Sequence, residues 1–146
     1  MSETSQRRGI RLASRVFLIG SGMHAVLHYR FYVDTASMDA SRRAVMRYLQ
    51  GVVVVPRFGT TMWTILCMFS LCFAILLALT GTAYWWMAKD LPAARLRPLA
   101  TASAWLCLGS TALVAGLYPV LHAVLILLLA SLGFCYAAWF ARPRGP

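Results

Sequence analysis

Residues 60–87 read TTMWTILCMFSLCFAILLALTGTAYWWM, a run of 28 residues without a charged side chain. A helix needs about 20 apolar residues to cross the hydrocarbon core of a bilayer, so this run is long enough to span it with some tilt. The whole chain agrees, because 60% of its 146 residues are hydrophobic and only 12% are charged. That is about half the charged share of soluble domains. The run therefore predicts a membrane-spanning helix.

On either side of this run, three more apolar segments are long enough to cross a membrane. They cover residues 14–33, 98–117 and 119–141. Pro119 separates the last two, and the link GLYPV is so short that we expect a tight antiparallel hairpin. The chain is therefore predicted to be all-α, a single domain over residues 1–146 built as an integral membrane four-helix bundle.

Basic residues flank the apolar runs, which favours the lipid bilayer over nucleic acid as the partner of a chain with net charge +10. The N-terminal segment carries four of them, the loop between the second and third runs three and the C-terminus two, nine in all. The long loop 34–58 carries four. The positive-inside rule therefore predicts that both termini are cytoplasmic. A cleaved signal peptide is disfavoured, because the first run contains histidines and an arginine and no A-x-A site follows.

The long outer loop contains a helical pattern of its own. Residues 38–50 follow a candidate N-cap at Ser37 and precede Gly51, a candidate C-terminal stop. Apolar residues recur on one face of this segment, and Asp39 and Arg43 form an i,i+4 pair. We expect an amphipathic helix at the outer membrane interface, where it shields the loop and binds lipid headgroups or docks a partner. Arg30, just before the loop, is expected to pair with Asp34.

Two histidines interrupt the first apolar run in the stretch GSGMHAVLHYRF, residues 20–31. His24 and His28 share a helix face with Gly20, which lets a neighbouring helix approach closely. His122 lies at a matching depth in the last run, so the three imidazoles converge if the first and last spans are neighbours. Three imidazoles suit a transition metal, and two suit the axial positions of a haem. Packing histidines with hydrogen-bond partners, or a proton or substrate path, explain the same pattern.

The third run carries small residues on one face, Gly109, Ala112 and Gly116. Such a seam allows close packing of helices in a membrane. Packing on the fourth span within the same chain is the favoured interpretation, and an interface with a second copy is the alternative.

Enzymatic motifs are missing from the sequence. It contains no nucleotide-binding loop, no nucleophile elbow and no paired carboxylates, and all four acidic residues lie outside the apolar runs. An enzyme is therefore disfavoured. Four cysteines lie inside the apolar runs without C-x-x-C spacing, so we expect buried thiols rather than disulfides: Cys67, Cys72, Cys107 and Cys135.

The stretch GSGMHAVLH in the first span, followed by an amphipathic outer segment and three more spans, resembles small four-span bacterial inner-membrane proteins of uncharacterised role. The resemblance covers most of the chain. It implies a four-span fold in the bacterial inner membrane and carries no activity with it.

Three functions are compatible with these patterns. The favoured one is an accessory or structural component that packs with itself or with a larger membrane complex. The second is a haem- or metal-binding redox subunit that uses His24, His28 and His122. The third is a small oligomeric transporter or channel, which would require that polar residues form one continuous path, among them Thr64, Ser70 and Ser110.

Overall fold

The computed structural model describes residues 3–117 and 120–140. Its helices are α1 (Glu3–His28), α2 (Ala40–Gly51), α3 (Met62–Asp90), α4 (Ala93–Leu117) and α5 (Leu121–Cys135). α1 and α5 each continue into a wider, π-helical turn, at Tyr29–Val33 and at Tyr136–Phe140. Two short strands, β1 (Val53–Val55) and β2 (Thr60–Thr61), pair in antiparallel fashion. The predicted all-α class is confirmed, since 88% of the structure is helical.

Four helices are long and apolar enough to cross a membrane: α1 and α5 with their π-helical turns, α3, and α4. This confirms the four predicted apolar helices, but two of their starts differ from the prediction. α1 begins at Glu3 rather than at residue 14, and α4 begins at Ala93 rather than at Pro98. Both extensions contain arginines, which form helix readily but lower the local hydropathy. Hydropathy therefore finds the apolar part of each helix and misses its polar end.

Much of the apolar surface of these helices is exposed. Only 11% of the most apolar stretch of α3 is buried, and 39% of that of α5. Large apolar side chains that are mostly exposed include Ile19, Phe69 and Leu106. In water such a surface would cost on the order of 25 cal/mol per Å² of apolar area, whereas lipid removes that cost. This is the pattern expected of a multi-pass membrane protein.

The chain divides into two compact units. The first contains the described parts of Met1–Gly20 and Leu77–Pro146, and the second is Ser21–Leu76. The boundary falls within α1 and within α3, and the predicted single domain over residues 1–146 stays a prediction.

In the first unit, α1 approaches α5 at glycine. A Cβ atom added at Gly133 would lie 2.9 Å from the backbone nitrogen of Ala13 and 3.0 Å from the carbonyl oxygen of Gly9. A Cβ atom at Gly20 would lie 2.8 Å from Ile126 Cδ1. The predicted close approach at Gly20 is therefore confirmed, and α1 and α5 are neighbours in this unit.

Buried hydroxyls hold the first unit together across its helices. Ser14 Oγ on α1 donates to the Gly81 carbonyl oxygen on α3 over 2.7 Å. The Tyr84 and Ser103 hydroxyls, on α3 and α4, lie 2.7 Å apart. α4 and α5 pack along one another, and α5 begins four residues after the end of α4, which confirms a short link. Tyr118 and Pro119 of that link lie outside the described residues.

In the second unit, the predicted loop helix is present as α2, but its N-cap and its ion pair differ from the prediction. The N-cap is Asp39 rather than Ser37, because the Asp39 carboxylate accepts a hydrogen bond of 2.8 Å from the Arg42 backbone nitrogen. Asp39 also pairs with Arg42 over 3.7 Å, and not with Arg43 as predicted. An aspartate at the N-cap sits outside the helix, so the arginine three residues on is the one within reach.

Two other contacts in this loop also differ from the sequence interpretation. The predicted pair of Arg30 and Asp34 is absent from the described ion pairs, and Asp34 instead accepts from the Ser37 backbone nitrogen over 3.3 Å in a local turn. After α2 the chain forms the β1–β2 pair, which hydropathy did not reveal. Gly59 closes its turn at φ +63°, a left-handed conformation that glycine adopts without strain.

Candidate functional site

His24 lies in the second unit and packs on α3. Its Nε2 atom is 3.1 Å from Ser70 Oγ, and its ring meets the edge of Phe73 with centroids 4.9 Å apart. One turn earlier, Ser21 Oγ donates to the Ala74 carbonyl oxygen over 2.8 Å. These two hydrogen bonds, one helical turn apart, connect α1 to α3, and the two apolar helices run antiparallel there. His24 therefore has the hydrogen bond and ring contact of a packing histidine.

His28, one turn further along α1, begins a column of rings. Its imidazole centroid is 5.3 Å from the ring of Tyr32, which in turn is 5.4 Å from Trp63. The Nδ1 atom of His28 is buried and has no hydrogen-bond partner among the described residues. An unsatisfied buried polar atom costs about 1–3 kcal/mol. His28 is therefore a predicted site residue with a ring nitrogen, Nδ1, to which no described residue forms a hydrogen bond.

His122 lies in the first unit, at the second position of α5, and is half-buried. The convergence of His24, His28 and His122 stays a prediction. Across residues 3–117 and 120–140, no group of three His, Cys, Asp or Glu side chains could hold a metal ion. All four cysteines are free thiols. Only Cys107 is buried, whereas Cys67 and Cys135 are half-buried and Cys72 is exposed, so the prediction of buried thiols is wrong for Cys72.

Two of the three polar residues proposed for a transport path have hydrogen-bond partners in the described chain. Thr64 Oγ1 lies 3.1 Å from Thr61 Oγ1, and Ser70 is engaged with His24. Ser110 is half-buried on α4. A continuous path through these residues stays a prediction.

The small-residue seam of α4, defined by Gly109, Ala112 and Gly116, faces outward. All three residues are exposed, and a Cβ atom added at either glycine would meet no described atom within 4 Å. At 100° per residue the seam lies opposite the face that α4 buries, which comprises Leu96, Ala100, Ser103, Ala104 and Cys107. The favoured packing of this seam on α5 is therefore not seen among the described residues. A face for a second chain stays a prediction.

An arginine groove on α1 was not recognised in the sequence. Arg8, Arg11 and Arg15, spaced by three and four residues, line an open groove of about 500 Å³, together with Gly9, Leu12 and Tyr136. The guanidinium carbons of Arg11 and Arg15 lie 5.7 and 5.8 Å from the ring of Trp85 on α3. From the sequence, these three arginines belong to the basic flank that predicts the orientation of the chain. Their common face becomes evident only because α1 begins at Glu3.

Arg7, next to this groove, has a different role. Its Nη1 atom donates to the Ala88 and Lys89 carbonyl oxygens over 2.7 and 2.9 Å, and Nη2 donates to Leu91 over 2.8 Å. Nε donates to Glu3 over 2.8 Å. Arg7 thus caps the C-terminal end of α3, where a cation is favoured by the helix dipole. Its charge is used within the fold.

Comparisons of the chain with protein-family models, with curated proteins and with solved structures find no match. The fold itself defines a helical protein with four candidate membrane spans, an outward-facing small-residue seam and an arginine groove.

Proposed function

We propose that this chain is an integral membrane protein of the bacterial inner membrane that acts as an accessory or structural component through helix packing. The observation that carries the proposal is the exposed seam of Gly109, Ala112 and Gly116 on α4. Within the bilayer, apolar side chains gain little by leaving lipid for another helix. Close backbone approach at small residues is then a main source of association.

A second copy of this chain is the partner that we commit to for the seam. A small-residue face is self-complementary, since two such faces approach each other about a two-fold axis without a matching partner surface. The first unit already uses the same device internally, because Gly9 of α1 meets Gly133 of α5. A larger membrane complex that offers its own small-residue helix face is the alternative partner.

Association should be measured on the full chain in liposomes, by counting fluorophore bleaching steps as the protein-to-lipid ratio is lowered. The double variant Gly109→Leu/Gly116→Leu should raise the mole fraction needed for dimers roughly tenfold, which corresponds to about 1.4 kcal/mol. Gly22→Leu is the matched control, because a Cβ atom at Gly22 also meets nothing within 4 Å. A wild-type chain that stays monomeric at every ratio, or an equal shift in Gly22→Leu, would contradict self-association.

The proposed orientation has both termini in the cytoplasm, which the nine-to-four distribution of basic residues supports. It is tested with two reporter enzymes fused after residue 146, one active only in the periplasm and one active only in the cytoplasm. The cytoplasmic reporter should be active. Activity of the periplasmic reporter at this position would overturn the orientation.

A haem- or metal-binding redox subunit is the second candidate function, and one observation favours it. The Nδ1 atom of His28 is buried and unpartnered among the described residues, and an imidazole nitrogen of this kind can act as a ligand. The test is the absorption spectrum and metal content of the chain purified in mild detergent. A haem band or a stoichiometric metal that is lost in His28→Ala and kept in Cys72→Ala supports the candidate. A chain without either contradicts it.

A further inference from the structure

Three positive charges in the arginine groove are not neutralised by the described chain. The described ion pairs are Glu3 with Arg7 and Asp39 with Arg42, and neither involves Arg8, Arg11 or Arg15. Two of the three guanidinium groups lie near one indole ring, that of Trp85. Like charges on one helix face repel each other. The groove therefore favours an anion that several guanidinium groups share.

The chemistry of the groove fits a phosphate group. Guanidinium groups present planar forks of N–H donors that match phosphate oxygens, and they do so better than ammonium groups. The Nε atom of Arg11 is buried and has no hydrogen-bond partner among the described residues. An N–H donor buried beside a groove of this charge is an independent sign of a binding site for an acceptor.

We propose that Arg8, Arg11 and Arg15 bind the phosphate group of an anionic phospholipid headgroup. The groove lies where the polar end of α1 gives way to its apolar run. Leu12 forms part of its wall, and Ile19, two turns further on the same helix face, is 70% exposed. Tyr136 and Trp85 are aromatic residues of the kind enriched at headgroup depth. A free phosphate would use the arginines alone, whereas a phospholipid also uses this apolar track.

Basic pockets on the cytoplasmic side of membrane helices are suited to anionic headgroups, in keeping with the negative surface of that leaflet. The inference rests on the proposal that α1 spans the membrane, and it does not depend on association through the seam of α4. Arg7 is excluded from the site, because its donors are used by Glu3 and by the end of α3.

The test is native mass spectrometry of the full chain with equimolar phosphatidylglycerol and phosphatidylcholine of the same acyl chains. The wild type should retain the anionic lipid in preference, by roughly tenfold or more, since each basic residue near the headgroup adds to the attraction. The triple variant Arg8→Gln/Arg11→Gln/Arg15→Gln should lose most of this preference. The matched control removes three charges from the next basic segment on the same predicted side, Lys89→Gln/Arg95→Gln/Arg97→Gln, and should keep it.

Two further arms separate the remaining outcomes. The double variant Arg8→Gln/Arg15→Gln changes only exposed side chains that make no hydrogen bonds in the described chain. It keeps the half-buried Arg11, so a loss of preference for the anionic lipid in this variant does not result from misfolding at Arg11. Inorganic phosphate at millimolar concentration should leave the bound lipid in place. Displacement of the lipid by free phosphate would overturn the lipid assignment in favour of a small-anion site. Equal losses in the triple variant and its control would overturn the site altogether.

Failure of this inference and failure of the proposed function give different results. Extraction of cell membranes with alkaline carbonate reports whether the chain is membrane-integral, independently of lipid selection. An integral chain without lipid preference overturns the arginine site alone. A chain released by carbonate overturns the proposed membrane function. A monomeric chain that still selects the anionic lipid overturns only the self-association.

Discussion

The two compact units differ in the kind of contact that stabilises each of them internally. The first unit buries glycines, alanines and hydroxyls between helices, with Gly9 against Gly133 and Ser14 against Gly81. In the second unit, Met38 and Ala74 are the buried residues among positions 21–76. Its contacts are instead made by half-buried rings and hydrogen bonds, such as the bond between His24 and Ser70 and the ring contact between His28 and Tyr32.

This difference predicts where the chain tolerates change. Where the backbones of two helices are in contact, an added methyl group has no room. The helices must then move apart, which destabilises the whole helix contact. Where half-buried side chains meet, a ring can shift or be replaced by another ring of similar size. Regions with few buried contacts also open more readily. The first unit is therefore expected to determine stability, and the second to accept substitution.

The largest effect is expected at the glycine contact. Gly133→Val should destabilise the chain by about 3 kcal/mol, because the new Cβ atom would meet backbone atoms of α1 at about 3 Å. Gly22→Val, in the second unit, adds the same side chain in open space and should change stability by less than about 1 kcal/mol. The measurement is unfolding in mixed micelles, followed by helical circular dichroism. Similar losses in the two variants would break the comparison.

A smaller effect is expected where arginines cap and pair. Arg7→Gln should cost about 2 kcal/mol, because it removes the Glu3 pair and leaves the last carbonyl groups of α3 without their charged donor. Arg42→Gln in the second unit removes a longer, half-exposed ion pair with Asp39 and should cost less than about 1 kcal/mol. The same unfolding assay applies. A loss in Arg42→Gln as large as that in Arg7→Gln would contradict the contrast between the units.

The apolar helices were predictable because hydropathy reports what a helix buries or exposes to lipid. Residues 60–87 correspond closely to α3, and Gly20 was recognised as a point of close approach. The ends of α1 and α4 were not predictable in this way. Arginine-rich turns continue a helix through backbone hydrogen bonds without changing the apolar pattern, so the arginine face of α1 was hidden in what was interpreted as a basic flank.

The hydrogen-bond and ion-pair partners of individual polar groups also could not be predicted from the sequence. Spacing favoured Asp39 with Arg43, yet the N-cap geometry brings Arg42 within reach. His24 forms its hydrogen bond with Ser70, which lies on α3 and is 46 residues away in the sequence. No local sequence pattern predicts a contact at that separation. For the seam, spacing placed three small residues on one face of α4 but could not indicate which side of α4 the remaining helices would occupy.

The smallest effects are expected at the histidines of the second unit. His24→Phe should cost about 0.5–1 kcal/mol, since hydrogen bonds between membrane helices average about 0.6 kcal/mol and the edge contact with Phe73 can be kept by a phenyl ring. Adding Ser70→Ala to this variant should cost little more, because the bond is already lost. This double-mutant cycle isolates the bond from the packing.

His28→Phe should leave stability unchanged within about 0.5 kcal/mol or raise it slightly. The substitution keeps a ring against Tyr32 and removes a buried Nδ1 atom that has no partner among the described residues. The measurement is the unfolding free energy of this variant beside that of His24→Phe. A loss at His28 greater than that at His24 would mean that the imidazole binds something that phenylalanine cannot. In that case the second unit would be built around a ligand rather than around ring contacts, and the contrast between the units would have a functional cause.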